Sequence, residues 1–438
     1  MWIAVTIFLM AYALMVSEKM NRTAAAILGA AAVVLLHVVP YEIALAHVDL
    51  DVVFLLVGMM MVVDILSHTG LFEWVAIYTA QRSKGNPIII LIGLLAATAV
   101  LSAFLDNVTT VVLIAPVTIL IAQILELPVA PFLILEALLS NIGGTATLVG
   151  DPPNILIGSK SELSFNDFII NLSPIVIICV LVIFAGILLL LHGSFKTTPS
   201  LRKRIMKAEP AKAILDPWRL KRALAVFFLI LIGFSASHWL KVQPGIIAIS
   251  GAFIMIVVTR SNIRHAMEKV EWETIFFLVG LFMLVGALEY NGLFDHIATF
   301  FFGISQGHLF ATAMIVLWTS AVLSAFFGNI PVAIAMIPLV DTLIHSTAAE
   351  LVLDPSSGIF ERYVAHPLWW SLALGACLGG NGTLFGAAAN VIVIQIAHRN
   401  GYKLSFWDFM KYGAPVTLVT LVLASGYIYI RYFAYSPL

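Results

Sequence analysis

Ser140-Asn-Ile-Gly-Gly-Thr-Ala-Thr-Leu-Val-Gly-Asp-Pro-Pro-Asn154 lies between two apolar runs, 130–139 and 155–158. The whole stretch 130–159 is long enough to cross a bilayer, for which about 20 residues suffice. Its middle resists regular helix. Gly143, Gly144 and Gly150 loosen the backbone, and Pro152-Pro153 removes two amide donors in succession. A break at membrane depth strands carbonyl and amide groups, so it is tolerated only inside protein or beside a water-filled cavity. Broken helices of this kind build midplane binding sites in secondary transporters; a buried kink or a surface turn is the plainer alternative.

The composition around this stretch is that of a membrane protein. Of 438 residues, 61% are hydrophobic and 11% charged, against about 25% charged in soluble domains. The apolar runs cover nearly the whole length, so the chain reads as polytopic, with the lipid bilayer as its surroundings. Residues 2–16 form a first apolar run with no basic segment before it and no small-residue cleavage site, which predicts a retained helix. The net charge is −1 and no block of one sign is large enough to suggest nucleic acid, which is not an expected partner. Cys179 and Cys377 both lie in apolar runs; two thiols cannot cage a soft metal, and no disulfide is expected. Neither a Walker motif nor a nucleophile-plus-base pattern occurs, so no enzyme is expected. The only cofactor expected is a coupling ion, a proton or Na⁺.

Apolar spans are expected at about 2–16, 23–40, 51–68, 87–105, 108–125, 130–159 and 170–192. After a basic polar segment, 193–222, the pattern returns at 223–240, 245–259, 272–289, 307–327, 330–345, 366–397 and 412–431. Amphipathic stretches, 71–80 and 293–303, occupy matching places. The match is residue by residue. Asp51-Val-Val-Phe-Leu-Leu-Val-Gly58 aligns with Glu273-Thr-Ile-Phe-Phe-Leu-Val-Gly280, and Leu101-Ser-Ala-Phe-Leu-Asp-Asn107 with Leu323-Ser-Ala-Phe-Phe-Gly-Asn329, both at a shift of 222. Gly143-Gly144 and Asn154 align with Gly379-Gly380 and Asn390 at 236. A near-constant shift through polar motifs is an internal repeat, not chance likeness between apolar helices. The expected units are 1–192, the linker 193–222, and 223–438.

Charge orients the repeat. Loops 17–22, 81–86, 193–222, 260–271 and 398–411 hold 19 of the 23 lysines and arginines, which assigns them to the cytoplasmic side. That assignment requires the hairpins 87–125 and 307–345 to be re-entrant, each returning to the side it entered. Each half then crosses five times, and the second half is inverted relative to the first. The expected fold class is therefore all-α, ten spans in two inverted repeats of five, each with a re-entrant hairpin and a broken helix. Both termini are expected on the non-cytoplasmic side of an inner membrane.

This topology brings four elements together: the tip Asp106-Asn-Val-Thr-Thr110, the break 143–154, the tip Gly328-Asn329 and the break 379–390. Helix N-termini favour anions and C-terminal carbonyls favour cations. Asn107, Asn141, Asn154, Asn329, Asn381 and Asn390 offer both donors and acceptors, although any one of them could simply cap a broken helix. The halves differ at one chemical point. Asp106 aligns with Gly328 and Asp151 with Ala387, so only the first half carries carboxylates. An ionised Asp at bilayer depth costs at least about 2.5–3.5 kcal/mol unless it pairs, binds a cation or takes a proton. With no Lys or Arg in either motif, Asp106 and Asp151 are candidates for proton or Na⁺ exchange, and Asp64 and Glu136 could extend a proton path. Cys377 could be an arsenic ligand, though a small buried thiol usually only packs.

Leu105-Asp-Asn-Val-Thr-Thr110 and Asn141–Asn154 resemble the signature stretches of the ArsB/NhaD group of the ion transporter superfamily, closest to the branch containing the mammalian pigmentation P protein. The resemblance covers essentially the whole chain. It implies efflux of arsenite or antimonite, exchange of Na⁺ for H⁺, or movement of anions such as dicarboxylates. It also implicates Asp106, Asn107, Thr109, Thr145, Thr147, Asp151, Asn154, Asn329, Asn381 and Asn390 in binding. The Ser-Asn-Thr tip of the dicarboxylate carriers is absent, which counts against a dianionic substrate that Asp106 would repel. The first expected function is thus arsenite efflux in exchange for protons, with Na⁺/H⁺ antiport or anion transport as alternatives. Beyond the small solute, a second copy of the chain and a cytoplasmic arsenite-stimulated ATPase are candidate partners.

Overall fold

The computed structural model describes residues 1–16, 20–191, 195, 197–305, 308–351, 354 and 357–434. Parts of the expected loop 17–22, the linker 193–222 and the start of the hairpin 307–345 therefore lie outside the described residues. Helices follow one another throughout: α1 Trp2–Val16, α2 Arg22–Leu35, α3 Tyr41–Ala46, α4 Leu50–Ser67, α5 Leu71–Arg82, α6 Pro87–Phe104 and α7 Asn107–Ile124. Next come α8 Val129–Gly144, α9 Pro152–Ser161, α10 Phe165–Leu191, α11 Pro199–Met206, α12 Pro217–Leu240, α13 Pro244–Thr259 and α14 Ile263–Glu268. The rest are α15 Trp272–Tyr290, α16 Leu293–Ser305, α17 Leu309–Phe327, α18 Asn329–Leu351, α19 Gly358–Phe360, α20 His366–Gly379, α21 Ala388–Arg399 and α22 Phe406–Ile428. Among the described residues nine helices are long and apolar enough to cross a membrane. The shorter α1, α2, α8, α13 and α16 are apolar as well. The chain is a polytopic membrane protein.

Local chemistry sets the boundaries. Asn86 caps α6 by accepting from the Ile88 amide at 3.1 Å, ahead of a proline at the first helical position. Asp106 ends the α6–α7 turn by accepting from the Thr109 amide at 2.8 Å. Ser405 and Asp408 form a reciprocal capping box on α22. In the second hairpin Gly328 takes φ of 92°, a left-handed backbone open to glycine at little cost.

The helices sort into two packed groups. α4 packs along α13, α2 against α15 and α1, and α12 against α13. Separately, α8 packs with α6 and α7, α20 with α17 and α18, and α21 with α7 and α8. The amphipathic α5 lies on α6 and α7, and α16 on α17 and α18.

The break expected in 130–159 is present, but its glycines act differently from expectation. The helix continues through Gly143 and Gly144; residues 145–151 form the non-helical bridge. Gly143 serves close packing: a Cβ there would lie 2.2 Å from the Ala99 carbonyl oxygen. Gly379 does the same in the second half, where a Cβ would lie 2.5 Å from the Ala321 Cα. The helix expected at 23–40 is also shorter and closes at Leu35.

Candidate functional site

The two hairpin tips and the two helix breaks meet in one buried polar cluster. From the first tip, Asn107 Nδ2 donates to Asn141 Oδ1 at 2.9 Å and to Asp151 Oδ1 at 3.2 Å. From the second tip, Asn329 Nδ2 donates to both Asp151 oxygens, at 3.0 and 3.3 Å. Asn141 Nδ2 donates across the repeat to Asn381 Oδ1 at 2.8 Å and Asn390 Oδ1 at 3.0 Å. Asp151, Asn141, Asn154, Asn381 and Asn390 are all wholly buried.

Each break is held by its own asparagine. Asn154 Nδ2 donates to the carbonyls of Thr145 and Thr147 at 3.0 and 2.9 Å. Asn390 Nδ2 donates to those of Gly380 and Thr383 at 2.9 and 3.0 Å. These bonds supply the donors that broken helices lack, the requirement for irregular backbone at depth. The hairpins are pinned in the same paired way. Thr147 donates to the Ala103 carbonyl and Thr383 to the Ala325 carbonyl. Ser102 donates to the Ser140 carbonyl at 2.7 Å and Ser324 to the Ala376 carbonyl at 2.6 Å. Thr145 donates to the Asn141 carbonyl at 2.8 Å.

The pairing also explains Cys377. It occupies the position matching Asn141, and its thiol lies 3.5 Å from Asn154 Oδ1, as the Asn141 amide reaches Asn390. Ser102, Ser324, Thr383 and Cys377 thus belong to the site, though only the repeated Leu-Ser-Ala-Phe motifs and the paired breaks signalled them in sequence.

Of the carboxylates, Asp151 enters the cluster and Asp106 borders it as the α7 cap. Asp106 is half-buried, and Thr109 beside it is also partly exposed. Asp64 and Glu136 do not join the cluster. Asp64 lies beside His68 and His265 in a separate cavity. Glu136 is buried on α8, its carboxylate oxygens without hydrogen-bond partners, near the equally unpartnered Thr118 hydroxyl.

A cavity of about 740 Å³ runs to the second half of the cluster. Tyr12, Arg22, Glu271, Glu273 and Thr274 line it together with Gly328, Asn329, Ala387 and Ala388. Gly328 and Ala387, at the starts of α18 and α21, carry no carboxylate of their own, although Glu271 and Glu273 share the cavity wall. Burial pushes the Glu271 carboxyl up, and the nearby Asp106 charge pushes it the same way. Asn21 Nδ2 holds Glu273 Oε1 at 2.6 Å, and Thr274 donates to Glu271 at 3.1 Å.

Among the described residues the chain is all-helical, with two such breaks around a buried polar cluster, an arrangement that suits a membrane transporter. A family described as Citrate transporter, CitMHS, matches residues 12–375, and the chain belongs to this family of the ion transporter superfamily. It is 42% identical over 438 residues to the 46 kDa membrane protein of Mycobacterium leprae, covering 99% of each. It is 42% identical over 435 residues to an uncharacterized transporter of Mycobacterium tuberculosis, covering 98% of each. With the P protein of Mus musculus it shares 32% identity over 525 residues, 98% of this chain and 60% of that protein. The superfamily and the relation to P protein thus agree with the resemblance noted in the sequence. An arsenite or Na⁺/H⁺ specificity is not among what these comparisons carry.

Proposed function

We propose that the chain is a secondary active transporter that moves a small carboxylate anion coupled to protons or Na⁺. The observation that carries this reading is the difference between the halves. In the first, the N-termini of α7 and α9 have their own carboxylates, Asp106 and Asp151. In the second, Gly328 and Ala387 leave those of α18 and α21 beside the 740 Å³ cavity, whose wall carries Arg22 together with Glu271 and Glu273. Helix N-termini attract anions, so the second half has a place for a substrate carboxylate where the first supplies its own. The backbone supports the comparison: Asp151 has φ −142°, ψ 133°, and Ala387 has φ −146°, ψ 148°. Asp106, whose charge argued against an anion, is engaged with the Thr109 amide and lies outside the cavity lining, though near enough for its charge to act on Glu271.

Asp106 and Asp151 are the coupling-ion candidates, and Glu136 is a proton carrier. A carboxylate without partners at such depth is costly to ionise, so a proton suits Glu136 better than a charge.

The inverted repeats with re-entrant hairpins rest on the charge count of the loops. α7 starts at the cluster, and near its far end Gln123 donates to the Tyr402 hydroxyl, just beyond α21. α18 also starts at the cluster, and its Asp341 meets Lys160, near the end of α9, at 3.6 Å. Each hairpin thus runs beside the half-helix of the other unit, as two symmetry-related units would. An inner-membrane location with both termini outside follows from the charge rule under the same reading.

Arsenite efflux in exchange for protons, the first expectation, is the second reading. The feature that favours it is a cluster of carboxamides and hydroxyls that suits a neutral trihydroxide. Na⁺/H⁺ antiport would use the two aspartates alone.

The deciding experiment loads the purified protein into vesicles with an imposed pH gradient. Radiolabelled citrate, arsenite and Na⁺-induced pH change are followed side by side. Gradient-dependent carboxylate uptake supports the first reading. Arsenite movement without carboxylate uptake replaces it with the second, and Na⁺-driven collapse of the gradient with neither solute moving makes the chain a cation antiporter.

A further inference from the structure

We propose a divalent transition-metal site, with zinc as the reference ion, formed by Asp64, His68 and His265 and separate from the transport cluster. The three come from two distant parts of the chain. Asp64 and His68 sit at the end of α4, and His265 lies on α14; the packing of α13 along α4 brings α14 to them. One ligand atom from each residue falls within 4.8 Å of the others.

The His68 Nδ1 lies 2.8 Å from the Asp64 backbone carbonyl oxygen. A carbonyl can only accept, so Nδ1 carries the hydrogen and Nε2 keeps its lone pair. Fixing one nitrogen in this way to free the other is how metal-binding histidines are oriented. That free Nε2 lies 3.4 Å from the Nε2 of His265, with the rings nearly perpendicular at 79°. The separation is long for an N–H···N hydrogen bond. It matches two nitrogens bound to one tetrahedral zinc, where bonds of about 2.0–2.1 Å place the ligands roughly 3.4 Å apart. Asp64 stands on the hydrogen-bearing side of the His68 ring, its Oδ1 3.5 Å from Nδ1, the place of the carboxylate that orients a metal-bound imidazole. Two imidazoles backed by a carboxylate suit zinc and its neighbours in the first transition row and are poor ligands for Mg²⁺ or Ca²⁺.

The residues line a cavity of about 380 Å³, whose walls also carry Arg219, Arg260, Ser261 and Asn262. Arg219 is tied to Ser261 Oγ at 3.0 Å. The two guanidiniums lower the affinity for a bare cation, and they favour an anionic fourth ligand, such as hydroxide or chloride, on the metal. His68 and His265 are exposed, so an ion can enter from solvent. Bound metal would tie α4 of the first repeat to α14 of the second.

The test uses the full chain, purified in detergent and stripped of metal. Zinc is titrated by calorimetry with elemental analysis of the washed protein, beside His265→Ala, His68→Ala, Asp64→Asn and, as a control, His296→Ala. The expected result is one zinc per chain, with affinity reduced tenfold or more in the three site variants and unchanged in the control. Equal binding in wild type and site variants, or no retained zinc, overturns the proposal and leaves a histidine–histidine contact. Thermal melts of each stripped variant establish that it is folded; a site variant that is folded and still retains the ion equally counts against the site.

Discussion

Asn329 of the second repeat donates to both carboxylate oxygens of Asp151 in the first, at 3.0 and 3.3 Å. Asn107 reaches the same carboxylate from the other hairpin tip at 3.2 Å. One side chain therefore joins both tips to a break. Hydrogen bonds to a charged group are worth about 1.5–3 kcal/mol each. Asn329→Ala should lower the melting temperature by several degrees and reduce transport at least tenfold. Unchanged transport in vesicles would remove the second tip from the mechanism.

Asp106→Asn keeps an oxygen for the Thr109 amide but removes the charge. Substrate movement down its own gradient should persist while proton- or Na⁺-driven accumulation fails. The check compares exchange with gradient-driven uptake; accumulation at the wild-type level would exclude Asp106 as a coupling site.

Ala387→Asp gives the second break the carboxylate that the first already has, on a backbone of nearly the same conformation. That group would occupy the α21 N-terminus in place of a substrate carboxylate. We expect KM for a carboxylate to rise at least tenfold while the protein still folds, as judged by its elution in detergent. An unchanged KM in a folded variant would show that the anion binds elsewhere.

Gly143→Ala drives a methyl group to 2.2 Å from the Ala99 carbonyl, backbone that cannot swing aside. Overpacking of this kind costs about 1–3 kcal/mol. At Gly186, inside α10, an added Cβ meets nothing within 4 Å, and Gly186→Ala should be neutral or stabilising by up to about 1 kcal/mol. Thermal melts of the two variants should move in opposite directions or differ by several degrees.

Much of this was legible in the residues. The bridge at 145–151 follows from Gly150 and Pro152-Pro153, and the meeting of Asn107, Asn329 and the two breaks follows from repeated motifs whose spacing is nearly constant. What the repeat cannot express is contact across it. Asn141 matches a cysteine, so nothing in sequence paired it with Asn390, and Cys377 read as a lone thiol until Asn154 was found beside it. The neighbours of Asp64 are hidden from sequence for a related reason. Helical periodicity places it on an apolar span, and only the packing of α13 brings His265, 201 residues later in the sequence, to its side. Gly143 was taken for flexibility because sequence records the absence of a side chain but not the neighbour that requires it.

Both acids of the four-motif cluster belong to one repeat, and no lysine or arginine lies in either break to offset them. Where the charges of bound protons or Na⁺ and of the substrate do not cancel, the loaded and empty carriers differ in net charge across the bilayer. A membrane potential acts on each elementary charge crossing the full field with about 2.3 kcal/mol per 100 mV. The sequence difference between Asp151 and Ala387 is in this sense an electrical one: voltage would favour one leg of the cycle over the other, and turnover could be recorded as current.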